Sequence, residues 1–175
     1  MENNFKSILP SELGNAIEMI GTQWMIILAD DESKPSGASG MTASWGCLGV
    51  LWNKPVCVCF IRPQRYTYGL ANATDKLSFN FFGNEKEYRE ALGYFGKASG
   101  RDTDKLADMG MSVERSGEHG VPFIAEAKTV LIGKKLYEGM IEKSGFLDSA
   151  LLKNYPTDDF HKVYVCEIEE VLVKN

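Results

Sequence analysis

Two arginines stand where an apolar run of the sequence ends, in FIRPQRYT at residues 60–67. Arg62 and Arg65 bracket a proline, which restricts the chain to a turn. Guanidinium groups bind phosphate through paired hydrogen bonds, and the hydroxyl of Thr67 would complete such a shell. The pattern therefore predicts either a site for a small anion or a solvated basic turn that pairs with nearby acids.

A run of small and polar residues, MTASWG, offers a second kind of chemistry. Thr42 and Ser44 are two residues apart, so on a strand both hydroxyls face one side while Trp45 faces the other or caps the end of the strand. Ala43 and Gly46 have little or no side chain and allow close approach of the backbone. The run is typical either of polar groups beside a ligand or of a strand edge with incidental hydroxyls.

The stretch ASGRDTDK at 98–105 combines a turn with positive charge. A Ser-Gly turn that leads into a helix leaves unpaired amide groups pointing outward, and such groups attract anions. Arg101 and Lys105 add charge beside them. The pattern is typical either of a site for a phosphate or a ring carbonyl, or of a short helix capped by Asp102 or Thr103.

His161 stands at the start of the last apolar run, in DDFHKVYVCEI. A single histidine there is typical of a surface residue as well as of a catalytic group, and the sequence shows no evident triad partner for it. Of these four patterns, two favour an anion, one places small polar groups beside a tryptophan, and none supplies a nucleophile. Together they favour a planar, phosphorylated cofactor over a hydrolytic site.

The four cysteines lie in apolar surroundings, and two of them, Cys57 and Cys59, form a C-x-C pair. This spacing is a poor match to a zinc site, and the chain has only two histidines. We therefore predict that the cysteines are small reduced core residues and that the chain has no metal site.

Length and charge restrict the class of protein further. The 175 residues fit one domain, and the formal net charge of -5 argues against nucleic acid or an anionic membrane as partner. The start, MENNFKSILPSELG, lacks the basic and apolar regions of a signal peptide, and no run reaches the roughly 20 apolar residues of a membrane span. We therefore expect a cytoplasmic protein.

The elements that must position these residues are mainly strands. Apolar or alternating runs predict strands at 24–29, 56–62, 77–82 and 162–173, with further strand structure over 122–139, while 41–52 is rich in small residues. Helical spacing predicts helices at 66–75, 85–100, 101–110 and 146–153. Because there is no strand–helix–strand rhythm and no G-x-G-x-x-G turn, an antiparallel barrel or an α+β fold is favoured over a Rossmann sheet.

Taken in order, these motifs resemble those of the flavin reductase-like, FMN-binding split-barrel family, and most closely its flavoredoxin-type branch. The matching residues are MTASWG, P-V-x-V-x-F-I-R-P-x-R-Y-T, F-N-F-F, G-K-x-S-G-R-D-x-D-K, E-A-x-x-V-L and Y-P-x-x-D-F-H-x-x-Y-V-x-E-I. The resemblance extends from about Trp24 to Val171, and the combination is specific although each piece alone is not.

The resemblance implies a mainly β fold with inserted helices. The expected architecture is a six-stranded antiparallel split β-barrel of Greek-key-like topology, forming a single domain over residues 1–175. It also implies a homodimer, with FMN bound non-covalently near the subunit interface. A split barrel leaves an apolar face and part of the flavin site uncovered, which is a further reason to expect a dimer.

The same resemblance assigns roles to particular residues, and His161, which matches a histidine on the nicotinamide side, becomes the candidate catalytic residue. Thr42, Ala43, Ser44 and Trp45 would line the isoalloxazine ring; Arg62, Arg65 and Thr67 would hold the ribityl phosphate; Asn80 and Phe81 would lie against the flavin; Ser99, Gly100 and Lys105 would reach the cofactor or its phosphate.

The chain departs from the family pattern at four places. Ser39 stands where members often have asparagine, Phe95 where many have cysteine, and Cys166 where many have glycine. Asp159 and Phe160 precede His161, where a large branch has Gly-Asp-His. The first departure concerns one loop contact, and the last concerns the nicotinamide role of the histidine.

These implications lead to one expected function and several alternatives. We expect an FMN-dependent oxidoreductase that transfers electrons from NADH or NADPH to bound or free flavin, with the flavin supplying the redox chemistry. The alternatives are a flavoredoxin-like carrier that receives electrons from a partner protein, a module that binds flavin or haem without turnover, and a structural barrel without a cofactor.

Overall fold

The computed structural model describes residues 4–83 and 85–175, and strands dominate them. The strands are β1 (Phe5–Ile8), β2 (Met25–Asp30), β3 (Ala38–Ala43), β4 (Gly46–Leu51), β5 (Lys54–Ile61), β6 (Lys76–Phe81), β7 (Val113–Arg115), β8 (Pro122–Ile124), β9 (Thr129–Met140) and β10 (Lys162–Lys174). The α-helices are α1 (Ala16–Glu18, continued by a π-helical turn over Met19–Gln23), α2 (Tyr66–Ala73), α3 (Lys86–Lys97) and α4 (Lys105–Asp108). Short 3-10 turns cover Pro10–Glu12, Lys143–Gly145 and Ser149–Asn154.

The main sheet has the strand order β3-β2-β6-β9-β10-β5-β4, with β1 paired to the far end of β10. All of its pairs are antiparallel. The pairing of β9 with β10 contains register shifts at Val165/Cys166 and Ile168/Glu170, which increase the local twist of these two long strands. The outermost strands of the order, β3 and β4, are joined through Ser44 and Trp45 alone, so the sheet must curl back on itself.

Apolar side chains pack in two clusters, one on each face of the sheet. Met25 and Ile27 of β2 belong to one cluster, whereas Ile26 and Leu28 belong to the other. Because β2 is buried on both faces, its sequence is a continuous apolar run rather than an alternating one. Helix α3 packs its Leu92 side into the second cluster and so covers one face of the sheet next to β3.

The prediction of a mainly β, antiparallel fold with inserted helices is confirmed. The main sheet contains eight strands in the described part of the chain, rather than the expected six, because β1 pairs with the far end of the central strand β10 and the 41–52 region contributes to two strands. The 122–139 region likewise divides into β8 and β9. Helix α4 (Lys105–Asp108) is shorter than the helix predicted at 101–110. It begins later because Asp104, rather than Asp102 or Thr103, caps it by accepting a hydrogen bond from the Ala107 amide.

None of the helices formed by residues 4–83 and 85–175 has the length and apolar character that crossing a bilayer requires. All four cysteines are free thiols, and Cys57, Cys59 and Cys166 are fully buried. The prediction that these three are core residues is therefore confirmed, whereas Cys47 is exposed on β4.

Candidate functional site

The corner between β3 and β4 forms one wall of a narrow cavity. Thr42 is fixed there because its hydroxyl donates to the carbonyl of Leu92 in α3 at 2.6 Å. Gly46 is required on the other side, since a Cβ at this position would lie 2.8 Å from the carbonyl oxygen of Val58. Between them the indole of Trp45 remains 46% exposed, although tryptophan usually contributes to a core.

The cavity beside this corner has a volume of about 180 Å³. It is lined by Met41, Thr42, Ala43, Ser44, Trp45, Phe60, Arg62, Arg65 and His161. Three of the four sequence patterns thus meet here: the small polar run, the two arginines and the histidine. We call this cavity the ring slot, because it is narrow and has an indole on its wall.

Arg62 is held at the edge of the ring slot by the segment 141–160. Its guanidinium forms an ion pair with Asp159 and donates to the carbonyl of Asn154 at 2.8 Å. It also lies 5.3 Å from the centroid of the Tyr155 ring, within reach of a cation–π interaction. The hydrogen bond from Arg62 lowers the pKa of Asp159 below its usual value. The positive charge of Arg62 is therefore already partly compensated by the Asp159 carboxylate within the protein.

Arg65 and Lys105 differ from Arg62 because their hydrogen bonds go to carbonyl groups alone and not to a carboxylate. Arg65 donates to the carbonyls of Gly96 at 2.8 Å and Phe95 at 3.1 Å, and Lys105 donates to Phe95 at 3.2 Å and Ala98 at 3.3 Å. These carbonyls end α3, where the helix dipole favours cations. Within the described residues, neither side chain forms an ion pair with a carboxylate.

The cations of the site destabilise one another. Burial, and then the charge of Arg65, lower the pKa of Lys105 from its usual value to about 8. Burial and the charge of Arg62 likewise lower the pKa of Arg65. A bound anion would relieve both effects, since an opposite charge nearby favours the protonated form.

A second cavity, of about 210 Å³, lies on the other side of Arg65, and we call it the anion pocket. It is lined by Gln64, Arg65, Tyr66, Thr67, Lys97, Ala98, Ser99, Gly100, Arg101 and Lys105. Helix α2 begins here, and its N-cap residue makes no side-chain cap hydrogen bond. The pocket therefore combines positive side chains with a helix N-terminus, which together suit a phosphate group.

Gly100 allows the walls of the anion pocket to come together. A Cβ at this position would lie 2.4 Å from Cδ1 of Tyr66 and 2.8 Å from the hydroxyl oxygen of Ser39. The neighbouring Ser99 turns back into its own loop, where its hydroxyl oxygen accepts from the Arg101 amide at 3.2 Å. The Ser-Gly turn thus shapes the pocket through close packing as much as through polar groups.

His161 lies directly before β10 and is buried, with 8% of its surface exposed. Its Nδ1 is 2.9 Å from the hydroxyl of Tyr155, and its ring centroid is 5.2 Å from that of Trp45. Burial, followed by the charge of Arg62, lowers the pKa of His161 to about 4, although Asp159 acts in the opposite direction. The imidazole is therefore neutral at pH 7 and contributes hydrogen bonding rather than charge.

Asn80 and Phe81 are placed away from both cavities. The Asn80 side chain accepts from the Ile124 amide at 2.8 Å and donates to the Ile26 carbonyl at 3.1 Å. Phe81 is buried in the same apolar cluster as Met25, Ile27 and Phe79. The structure gives these two residues roles in joining β6 to β8 and in packing, and it does not bring them to the predicted flavin contact.

The sequence patterns missed the residues that support the site from the segment 141–160 and from β5. Tyr155 and Asp159 contact His161 and Arg62, respectively, and Phe60 lines the ring slot. Among the predicted motifs, Y-P-x-x-D-F-H contains both Tyr155 and Asp159. The signal was therefore present, but spacing alone gives no reason to connect these residues with an arginine about 90 positions earlier.

A third cavity, largely apolar and about 520 Å³ in volume, adjoins the ring slot. Ser44, Trp45 and Phe60 line both. Its remaining wall comes from α1, the following π-helical turn and β4. The indole of Trp45 therefore separates a polar, cationic compartment from an apolar one.

A model of the flavin reductase-like domain matches residues 18–175. Because this match covers most of the sequence, the chain belongs to the flavin reductase-like family, as the motifs predicted. A search of curated proteins gave no match.

Solved structures with a similar fold include flavoredoxin of Desulfovibrio vulgaris, which is 18% identical with a TM-score of 0.66 over 88% of this chain and 70% of that protein. An FMN-binding protein from Thermus thermophilus, solved with 1-cyclohex-2-enone, is 21% identical with a TM-score of 0.61 over 85% and 68%. An NADH:FAD oxidoreductase from Streptomyces globisporus, solved with NAD and FAD fragments, is 17% identical with a TM-score of 0.59 over 86% and 73%. At these identities the likeness shows the fold alone, and the predicted split barrel is confirmed.

Proposed function

We propose that this chain binds FMN non-covalently and acts as a flavin reductase-like oxidoreductase that transfers electrons from NADH or NADPH to flavin. The observation that carries the proposal is the pair of cavities that meet at Arg65. One is a slot with an aromatic wall, and the other is lined by cations without carboxylate partners. A flat ring linked to a phosphate by a short polyol has the same division, so one FMN molecule suits both.

The anion pocket fits a phosphate in charge as well as in donors. A phosphate monoester carries nearly two negative charges at pH 7, and the inner cations Arg65 and Lys105 supply two positive charges. The hydroxyl of Thr67 and the first-turn amides of α2, to which the N-cap side chain makes no hydrogen bond, add neutral donors. Each charge-assisted hydrogen bond contributes about 1.5–3 kcal/mol, so phosphate binding would supply a large part of the cofactor affinity.

Bound flavin would supply the hydride and electron chemistry, and the protein residues would bind and orient it. Thr42, Ala43, Ser44 and Trp45 would line the ring, as the resemblance implies. His161 is neutral at pH 7, so it would act as a hydrogen-bonding group and not as an imidazolium acid. This agrees with a reaction that needs no acid or base from the protein to deliver hydride.

The electron donor distinguishes the main proposal from its alternatives, and one experiment decides between them. The purified protein is reconstituted with FMN, and its absorbance is recorded before and after anaerobic NADH and then NADPH. Bleaching within seconds supports a reductase and identifies its donor. Flavin that resists both nucleotides would favour a carrier fed by a partner protein or a module without turnover, and absence of a flavin spectrum would refute the cofactor proposal.

Substitution of the two arginines tests the assignment of the anion pocket. We expect Arg65→Ala to raise the Kd for FMN by about 10- to 100-fold, because it removes a charge that faces both cavities. Arg62→Ala should also weaken binding, but less, since Arg62 lines only the ring slot and is already paired with Asp159. The measurement is fluorescence titration of FMN.

The matched control for these variants is Lys153→Ala, which removes an exposed charge that lines neither cavity. It should leave the Kd unchanged. Riboflavin, which lacks the phosphate, should lose much less affinity than FMN on Arg65→Ala, because only the contact of Arg65 with the ring slot then counts. If Arg65→Ala retains wild-type affinity for FMN, the phosphate lies elsewhere.

We further propose that the protein is a homodimer and that it works in the cytoplasm. The apolar cavity beside Trp45 and the exposed apolar side chains of β4 support a subunit interface next to the ring slot. Four free thiols agree with a reducing compartment. A redox partner protein remains the proposed donor if neither nucleotide reduces the flavin.

A further inference from the structure

The hydrogen bond between Tyr155 and His161 has two possible directions, and each gives the ring slot a different polar group. The Tyr155 hydroxyl and Nδ1 of His161 lie 2.9 Å apart. A neutral imidazole carries one proton, on Nδ1 or on Nε2, so Nδ1 either donates to the hydroxyl or accepts from it. In the first case Nε2 is an acceptor, and in the second case it is an N–H donor.

The burial of the pair favours Tyr155 as the donor. Tyr155 and His161 each have 8% of their surface exposed. In the part of the chain that the structure describes, the Tyr155 hydroxyl has no other hydrogen-bond partner. If the hydroxyl accepted from Nδ1, its own proton would be buried without an acceptor. A hydroxyl that donates leaves only lone pairs unused, and under-used oxygens are less rare in proteins than buried donors without partners.

The other ring nitrogen of His161, Nε2, has access to the ring slot. His161 lines this cavity, and the ring centroids of Trp45 and Phe60 lie 5.2 and 6.4 Å from that of the imidazole. Among the described residues, Nε2 has no hydrogen-bond partner, yet it is not one of the fully buried side-chain atoms that lack one. It therefore keeps some exposed surface, with which it can contact a ligand.

The charge of Arg62 supports the same arrangement. An imidazolium would carry protons on both nitrogens and could not accept from Tyr155. Burial, followed by the charge of Arg62, lowers the pKa of His161 to about 4, so the acceptor at Nδ1 persists at pH 7. Arg62 donates to Asp159 and to the carbonyl of Asn154, and its other N–H groups remain donors. His161 and Arg62 thus form a wall of the slot whose side chains offer N–H groups to a ligand.

We propose that Tyr155 is a positioning residue: by donating to Nδ1 it fixes the proton of His161 on Nε2, and the ring slot thereby selects a planar ligand that presents a carbonyl oxygen to this wall. A ligand with an N–H group at the same edge would face a second donor and bind less tightly. The identity of the ligand rests on the proposed function, since both the flavin ring and the carboxamide of a nicotinamide carry such an oxygen. The tautomer itself is a property of the flavin-free chain.

The tautomer is measured by NMR of the histidine ring nitrogens in the isotope-labelled, flavin-free full chain at pH 7. We expect a protonated Nε2 and an unprotonated Nδ1 for His161 in wild type. In Tyr155→Phe, which removes only the hydroxyl, the form with the proton on Nδ1 should become detectable. Tyr137→Phe is the matched control, because Tyr137 is 54% exposed and lines neither the ring slot nor the anion pocket. It should leave the tautomer unchanged.

The carbonyl is then identified by adding FMN, and afterwards NAD⁺ or NADP⁺, to the same samples. An oxygen of the flavin ring should shift the Nε2–H signal with FMN alone, whereas a carboxamide oxygen should shift it only after the nucleotide is added. In His161→Leu, the Kd of the ligand that causes the shift should rise about tenfold, as expected for one lost hydrogen bond. His161→Gln keeps an N–H donor and should restore most of this loss.

A wild-type spectrum with the proton of His161 on Nδ1 would overturn the inference, and so would a Tyr155→Phe variant whose tautomer is unchanged. If neither FMN nor the nucleotides shift the Nε2–H signal in protein that binds them, His161 does not select the ligand. If the chain does not bind FMN, the proposed function fails, while the spectrum of the flavin-free chain still decides whether Tyr155 sets the tautomer.

Discussion

Lys105 connects the charge of the anion pocket to pH, because it is buried beside another cation. Its pKa of about 8 means that it loses its proton as the pH rises from 7 to 9.5. One of the two inner charges that, by the proposed function, would face a phosphate disappears in this range. We therefore expect the Kd for FMN to increase above pH 8, by up to about tenfold per pH unit for one coupled proton, as measured by fluorescence titration.

The same shift acts on folding stability with the opposite sign. The pKa of Lys105 in the folded protein is below its usual value of 10.5, so the charged side chain destabilises the flavin-free fold. This cost is fully present below pH 8 and disappears as the pH approaches 10.5. In Lys105→Met the pH dependence of FMN affinity should be lost and the affinity at pH 7 lowered. A wild-type Kd that stays constant from pH 7 to 9.5 would show that Lys105 does not face the phosphate.

Tyr155 and His161 form a buried polar pair whose state can be observed directly. We expect the imidazole to stay neutral from pH 8 to pH 5, because burial and Arg62 lower its pKa to about 4. In Tyr155→Phe the loss of the 2.9 Å hydrogen bond should reduce the free energy of unfolding by about 1 kcal/mol. The histidine ring nitrogens report the charge state by NMR.

The assignment of these NMR signals is straightforward, because the chain has only two histidines. In a His119→Gln variant, the only remaining histidine signals are those of His161. Signals of an imidazolium at pH 6 would contradict the neutral assignment and would make His161 a possible proton donor.

The charged and small residues of the site were predictable from sequence, whereas the aromatic supports were not. Arg65 and Ser44 stand in short motifs whose residue types suggest a chemistry. Tyr155 reaches the site through the packing of a segment distant in sequence, whereas Phe60 precedes Arg62 by two residues but has the same apolar character as the rest of its strand. Asn80 shows a limit of sequence patterns, because a buried amide that satisfies backbone groups, as this one does with Ile26 and Ile124, has the same signature in sequence as one that touches a ligand.

At the scale of elements, the close approach of the 98–101 loop to α2 decides whether the anion pocket exists. We expect Gly100→Ala to reduce the free energy of unfolding by about 1–3 kcal/mol and to weaken FMN binding, because its Cβ would lie 2.4 Å from Cδ1 of Tyr66. Urea denaturation measures the first effect and flavin titration the second.

Gly69→Ala is the matched control, because Gly69 lies within α2 and a Cβ there meets nothing within 4 Å. A helical glycine with open space around it should gain stability on this change, by about 0.5–1 kcal/mol. Equal effects of the two substitutions would mean that the loop can move away from Tyr66 without cost.

The strands were predicted well where burial determines the pattern of apolar residues. They were predicted poorly where a turn determines the strand boundaries. β2 and β5 are buried, and their continuous apolar runs identified them. The corner between β3 and β4 was missed because the residues on either side are equally small. It is set by a long-range contact, the approach of Gly46 to the backbone of β5, which a local pattern does not contain. The start of α4 was misplaced for a similar reason, since Asp104 is also held from a distance by Ser36.

At the scale of the whole molecule, the surface around β4 combines a strand edge with exposed apolar side chains. β4 is the last strand of the main sheet's order, so within the described residues one of its edges has no strand partner. Val50 is 77% exposed, Trp52 57% and Ile17 83%. An apolar edge of this kind is usually covered, because otherwise it promotes unspecific association. The apolar cavity next to Trp45 joins this surface to the ring slot, so a second copy placed here would also enclose the flavin.

Val50→Asp tests this arrangement. Because Val50 is exposed, a carboxylate costs little in the separate protomer, but it would be buried without a partner in a dimer interface. We expect light scattering to show a dimer for wild type and a monomer for Val50→Asp, with circular dichroism unchanged. The variant should also bind FMN more weakly, since the second subunit would no longer cover Trp45.

Leu147→Asp is the control, because Leu147 is fully exposed on the segment 141–160 and does not belong to β4. If Val50→Asp stays dimeric, β4 lies outside the interface; if it becomes monomeric and retains full FMN affinity, the flavin site is complete within one chain.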